Sequence, residues 1–125
     1  MKRNVLIVED DPTMRVVLKR TLTESNLEIG EIIEAENGKI GLEMLEKHQI
    51  DLMLVDIYMP VMDGLEMLDY CADNPEFANI PAVVVSSEND EKRIDAILRQ
   101  GMGFVHKEFT TDLLEEQIRK KIKED

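Results

Sequence analysis

Short, nearly unbroken apolar runs alternate with amphipathic stretches five times along this chain, and that alternation constrains the fold more than any other feature. The runs are Val5–Val8, Ile29–Ala35, Leu52–Val55, Ile80–Val85 and the weaker Phe104–His106. The first, third and fourth have almost no polar interruption, as parallel strands covered on both faces do. The segments between them carry helical periodicity. Their expected core stripes are Met14, Val17, Leu18 and Leu22; Ile40, Met44 and Leu45; Leu65, Leu68 and Ala72; Ile94, Ile97 and Leu98; and Leu114, Ile118 and Ile122. A β-α unit repeated five times specifies a parallel α/β sheet with right-handed crossovers and helices on both faces. Five strands are too few for an eight-stranded barrel.

The ends of these elements agree with that reading. Asp11 stands where an N-cap belongs, with Pro12 at the first helical position. Gly101 closes the fourth helix. The last helix carries Asp112, Glu115 and Glu116 early and Arg119, Lys120, Lys121 and Lys123 late, an order that complements the helix dipole. It also puts a basic face on an acidic protein. No linker, repeat or low-complexity stretch divides the chain, so residues 1–125 are expected to form one domain.

Charge and cysteine usage narrow the function. The net charge is −12 and only 4% of residues are aromatic. Such a surface repels phosphate backbones and anionic lipid, so neither nucleic acid nor a membrane is an expected partner. The apolar run after Met1 stops at Glu9, too early for a signal segment, and no run is long enough to span a bilayer. A cytoplasmic protein is the expectation. The lone Cys71 excludes an internal disulfide and reads as a small buried hydrophobe.

In an open parallel sheet, ligands bind at the carboxyl ends of the strands. Glu9, Asp10 and Asp11 follow the first run, Asp56 the third, Ser86 and Ser87 the fourth, and Lys107 the fifth. No glycine-rich phosphate loop follows the first strand, which argues against a nucleotide site. Carboxylates that cannot pair with one another need a cation, and an oxygen-only set with few protein ligands suits Mg²⁺. His48 and His106 stand alone on separate elements and read as ordinary side chains. Asp11 by itself is accounted for by capping. Asp56, beside a metal and a lysine, is a candidate nucleophile toward a phosphoryl donor. Pro60 and Gly64 fit the turn that follows it.

Four motifs in order, VEDDPTMR at 8–15, DIYMPVMDGLE at 56–66, PAVVVSSE at 81–88 and GFVHKEF at 103–109, resemble those of response-regulator receiver domains of two-component signalling. The resemblance covers essentially the whole chain. It implies a flavodoxin-like doubly wound fold with strand order 2-1-3-4-5. It also implies that Asp56 is the phosphoacceptor and that Mg²⁺ is held by Asp10, Asp56, the Tyr58 backbone carbonyl and, through water, Glu9. Ser86 matches the switch hydroxyl, Lys107 the lysine that contacts the phosphoryl group, and Phe104 the aromatic that reports activation. The implied partners are a histidine kinase or histidine phosphotransfer protein, and a downstream target on the face of helix 4, strand 5 and helix 5. The domain would act as a monomer or weak dimer and would not be a turnover enzyme. Its only activity would be its own phosphorylation and dephosphorylation.

Two residues depart from the family pattern. Phe104 stands where tyrosine is frequent, and Glu108 follows Lys107 where proline is usual. A cis bond before glutamate would cost about 2.5–4 kcal/mol, so a trans Lys107–Glu108 peptide is expected. Two other readings stay open. One is a receiver cut from a longer regulator with its own output domain: Met1 suits a natural start, while Asp125 suits either a terminus or a junction. The other is a metal-dependent phosphohydrolase with an aspartyl nucleophile. It is disfavoured because Tyr58 stands where such enzymes place a second acid, and there is no cap domain.

Overall fold

The structure, a computed structural model, describes residues 1–122. In chain order the elements are β1 (Arg3–Val8), α1 (Pro12–Glu24), β2 (Ile29–Ala35), α2 (Gly38–Lys47), β3 (Leu52–Val55), α3 (Gly64–Ala72), β4 (Ala82–Ser86), α4 (Glu91–Arg99), β5 (Gly103–His106) and α5 (Thr111–Ile122). The strands pair in parallel in the order β2-β1-β3-β4-β5, as expected.

Two-sided burial explains the unbroken runs. Alternate side chains of a strand point to opposite faces. Val5 and Ile7 of β1 therefore join Leu52, Leu54, Val83 and Val85 against Leu18 and Leu22 of α1 and Leu114 and Ile118 of α5. Leu6 and Val8 join Met53, Val55 and Val84 on the other face, against Leu45 of α2, Met67, Leu68 and Cys71 of α3, and Ile97 of α4. Burial pushes the Cys71 thiol up to about 11, so it stays protonated and acts as a hydrophobe.

Several boundaries and faces differ from expectation. β4 starts at Ala82 rather than Ile80, because the Ile80 N–H turns back to the Phe77 carbonyl. Ser86 is the last residue of β4 and not the first after it. In α3 the buried set is Gly64, Met67, Leu68 and Cys71, an i, i+3, i+4, i+7 pattern that leaves Ala72 exposed. Val17 and Leu98 are also exposed. Thr21 faces the core on α1 instead of Val17, and its hydroxyl is satisfied by donating to the Val17 carbonyl at 2.8 Å.

The capping expectations hold. The Asp11 carboxylate accepts the Thr13 N–H, with Pro12 opening α1. Gly101, at φ 95°, follows the end of α4. The basic face of α5 is largely spent internally: Arg119 pairs with Glu115 at 3.2 Å, Lys120 with Glu116 at 3.6 Å, and Lys121 donates to the Gly101 carbonyl. Lys123 lies outside the described residues. The Lys107–Glu108 peptide is trans.

Candidate functional site

The sheet register brings the chemistry to one edge. The Asp56 N–H donates to the Val8 carbonyl, which sets Asp56 beside Glu9. The Lys107 N–H donates to the Ser86 carbonyl, which sets Lys107 beside the end of β4. Carboxylate oxygens of Glu9, Asp10 and Asp56 all lie within 4.8 Å of one another. Glu9 is 1% exposed and Asp56 4%, while Asp10 faces solvent. The Lys107 ammonium sits between the two buried acids, 3.0 Å from Glu9 Oε1 and 3.1 Å from Asp56 Oδ2. Asp56 Oδ1 accepts the Ile57 N–H at 2.8 Å, and Glu9 Oε2 accepts the Asp11 N–H at 3.1 Å.

One ammonium cannot balance three carboxylates. The nearby Arg15 does not help, because its guanidinium is taken by the Glu9 carbonyl and by Glu34. Burial pushes the Glu9 carboxyl up to about 7, and the Asp56 charge adds to that. The Asp11 N–H and Lys107 pull the other way. Burial would lower the Lys107 ammonium, but its contacts with Glu9 and Asp56 outweigh that and hold it above the usual lysine value. Glu9 Oε1 is buried and accepts no hydrogen bond; its 3.0 Å contact with Lys107 is an ion pair without hydrogen-bond geometry. A hard divalent cation fits this all-oxygen, net-negative set.

The mouth of the site is bridged. Tyr58, half-exposed, donates its hydroxyl to Glu88 Oε1. The same Glu88 oxygen takes Arg93 Nε from α4 at 3.3 Å. Glu88 Oε2 accepts the N–H groups of Asn89 and Asp90, and the Glu88 N–H donates to Ser86 Oγ at 3.3 Å. The hydrogen bond from Tyr58, then those from the Asp90 and Asn89 N–H groups, hold the Glu88 carboxyl below its usual range. Ser86 is fully buried. Phe104 is half-buried on β5, edge-on to His106 with ring centroids 5.1 Å apart. His106 serves as that packing partner, and His48 as the C-cap of α2.

The expected residues Glu9, Asp10, Asp56 and Lys107 therefore converge, and Ser86 lies at the adjoining strand end. Arg93 was not legible beforehand. It reaches Tyr58 and Glu88 across the N-cap of α4, a path with no periodic spacing in the sequence.

Known proteins give the same picture. The family model for the response regulator receiver domain matches residues 5–119. The chemotaxis protein CheY of Pseudomonas aeruginosa is 32% identical over 117 residues, covering 93% of each chain. A putative response regulator from Chloroflexus aurantiacus superposes with a TM-score of 0.87 at 21% identity, covering 99% of this chain and 100% of its own. The receiver domain of a sensor histidine kinase from Pseudomonas aeruginosa, solved with a magnesium ion coordinated in its active-site cleft, superposes with a TM-score of 0.84 at 19% identity, covering 99% of this chain and 100% of its own. With four sequence motifs, the sheet order and a family match across nearly its whole length all in agreement, this chain belongs to the response-regulator receiver domains of two-component signalling.

Proposed function

We propose that Asp56 accepts a phosphoryl group from a phosphohistidine carried by a histidine kinase or histidine phosphotransfer protein. The observation that carries this reading is the convergence of Glu9, Asp10 and Asp56 around a lysine held in place by two carboxylates. An oxygen of the Asp56 carboxylate forms the new O–P bond as the P–N bond breaks, and the departing imidazole takes up a proton. Lys107 neutralises charge on the transferring group, and the Ser86 hydroxyl donates to one of its oxygens.

Asp10, Asp56, the Tyr58 carbonyl and, through water, Glu9 would hold Mg²⁺, as the acidic composition of the site supports. When bound, the ion would supply charge neutralisation at the phosphoryl oxygens and would favour the ionised form of Glu9. Removing one ligand charge should therefore be visible. Asp10→Asn should weaken Mg²⁺ binding at least about tenfold and slow loading from acetyl phosphate in parallel. Magnesium titration of the two proteins reads the first effect, and unchanged affinity would remove Asp10 from the site.

Phosphorylation adds charge and acceptor oxygens at the strand ends. Ser86 is drawn toward them, Phe104 fills the space it leaves, and a pre-existing two-state equilibrium shifts. The face of α4, β5 and α5, where Leu98 and Leu113 are exposed, is the proposed output surface, on a monomer or weak dimer. Residues 1–125 would form a single receiver domain. Among the described residues no helix is long and apolar enough to cross a membrane.

Tyr58, its hydroxyl held by Glu88, would shield the phosphoryl group from in-line water. Tyr58→Ala should therefore lose its phosphoryl group severalfold faster than the wild type. Following intact mass after the donor is removed gives both rates, and a slower mutant would contradict shielding.

A further inference from the structure

A cleft of about 660 Å³ lies at the end of the sheet opposite Asp56. Met53 near the start of β3, Ala82 at the start of β4 and Met102 just before β5 all line it. Asp56, Ser86 and Lys107 stand at the other ends of the same strands, and none of them lines the cleft. Its size is that of a small-molecule site.

Thin packing of α4 opens this space. Ile97 is the one buried residue of α4, so little side-chain volume fills the gap toward α3. The cleft floor is apolar and buried, formed by Met53, Leu68, Cys71 and Phe77. Leu68, Asp69, Gln100 and Met102 also line a narrower space of about 140 Å³, which continues between α3 and α4 as far as Arg93. The combined opening is long, and it suits an extended chain better than a compact ring.

The rim supplies a charge of the sign that is scarce on this chain. Lys121 reaches the cleft from α5 and donates to the Gly101 carbonyl at 3.1 Å. A carbonyl is neutral, and among the described residues no carboxylate pairs with Lys121, so its charge is uncompensated and donors are left over. Lys120, the other rim lysine, is engaged by Glu116 at 3.6 Å. Asp69 is the single acid on the rim and belongs to the α3 wall. An anionic head is therefore drawn to the α5 side and kept off the α3 side, while an apolar tail runs between α3 and α4. The net charge of −12 disfavours a multiply charged head.

We propose that this cleft binds a free monocarboxylate with an unbranched apolar tail, its head on Lys121 and its tail between α3 and α4. Apolar burial supplies most of the affinity, and Lys121 selects the head group.

The probe is decanoate below its micelle concentration, with decanol and decylammonium as controls of equal chain length. Methyl NMR on wild type labelled at its methionine methyls locates the binding, because Met53 and Met102 line the cleft while Met14 packs on the other face of the sheet. Decanoate should shift the Met53 and Met102 signals saturably and leave Met14 unmoved. Decanol and decylammonium should bind at least about tenfold more weakly. Lys121→Gln should lose about tenfold in decanoate affinity and nothing in decanol affinity, a split that a purely structural role would not produce. Ala72→Phe, which grows a ring from the exposed α3 wall of the cleft, should lose both. Absence of a saturable shift at Met53 and Met102 would overturn the proposal. So would decanol binding as tightly as decanoate, or an unchanged decanoate affinity in folded Lys121→Gln. If Ala72→Phe does not fold, the wild-type and Lys121→Gln measurements decide alone.

Discussion

Gly64→Ala should cost the domain about 3–5 kcal/mol, a large fraction of the roughly 5–15 kcal/mol that holds a typical domain folded. A Cβ on Gly64 would lie 1.9 Å from the Asp56 carbonyl oxygen, 2.9 Å from the Asp56 carbonyl carbon and 2.9 Å from Val55 Cγ1. The first two are backbone atoms of the very residue the site is built on. Asp56 cannot yield easily, because its N–H is tied to the Val8 carbonyl across the sheet. Gly64 cannot yield easily either. Its N–H is tied to the Ile57 carbonyl, and it opens α3 behind Asp63, whose side chain and that of Glu66 form a reciprocal capping box. Relief requires lifting α3 off the sheet or moving Asp56. Urea denaturation of wild type and variant measures the loss, and a loss below about 1 kcal/mol would show that the loop yields where the structure holds it rigid.

That glycine shows where reading the sequence stops. Turn chemistry accounts for Gly64 from sequence alone, yet its φ is not in the left-handed region; the requirement is close approach of two backbones. Val61 is the converse case. Its left-handed turn carries none of the residues that normally announce one, so no local signal reveals it. The central strands were legible because burial on both faces leaves them almost without polar interruption, although β4 starts at Ala82 and takes in Ser86. The helix faces were legible only in part. On α3, Met67 and Cys71 lie one step round from the Leu65 and Ala72 expected inside. On α1, a threonine that bonds its own helix replaced a valine in the core.

The site divides along the same line. Glu9, Asp10, Asp56 and Lys107 could be placed together because each lies at the end of a strand, and parallel strands end on one edge. The Tyr58–Glu88–Arg93 bridge joins two loops and a helix through side-chain reach, and only the folded geometry sets that. The departure at Glu108 proved harmless locally: the peptide is trans, and Lys107 still reaches both acids.

Asp56→Asn should abolish phosphoryl incorporation altogether, the largest effect on function expected of any single change. The amide is close in shape to the carboxylate and can still accept the Ile57 N–H, so the fold should survive. It lacks the anionic oxygen proposed to attack phosphorus, and it removes one of the charges that would draw in the cation. The remaining acids do not replace it. Asp10 is exposed and forms no ion pair with Lys107, while Glu9 is buried with its carboxylate engaged by Lys107. The decisive measurement is intact mass after treatment with acetyl phosphate and Mg²⁺. Wild type should gain one phosphoryl group, lose it with time, and gain none when the metal is chelated, while folded Asp56→Asn gains none under any condition. Incorporation into Asp56→Asn at the wild-type level would place the acceptor elsewhere and contradict the account.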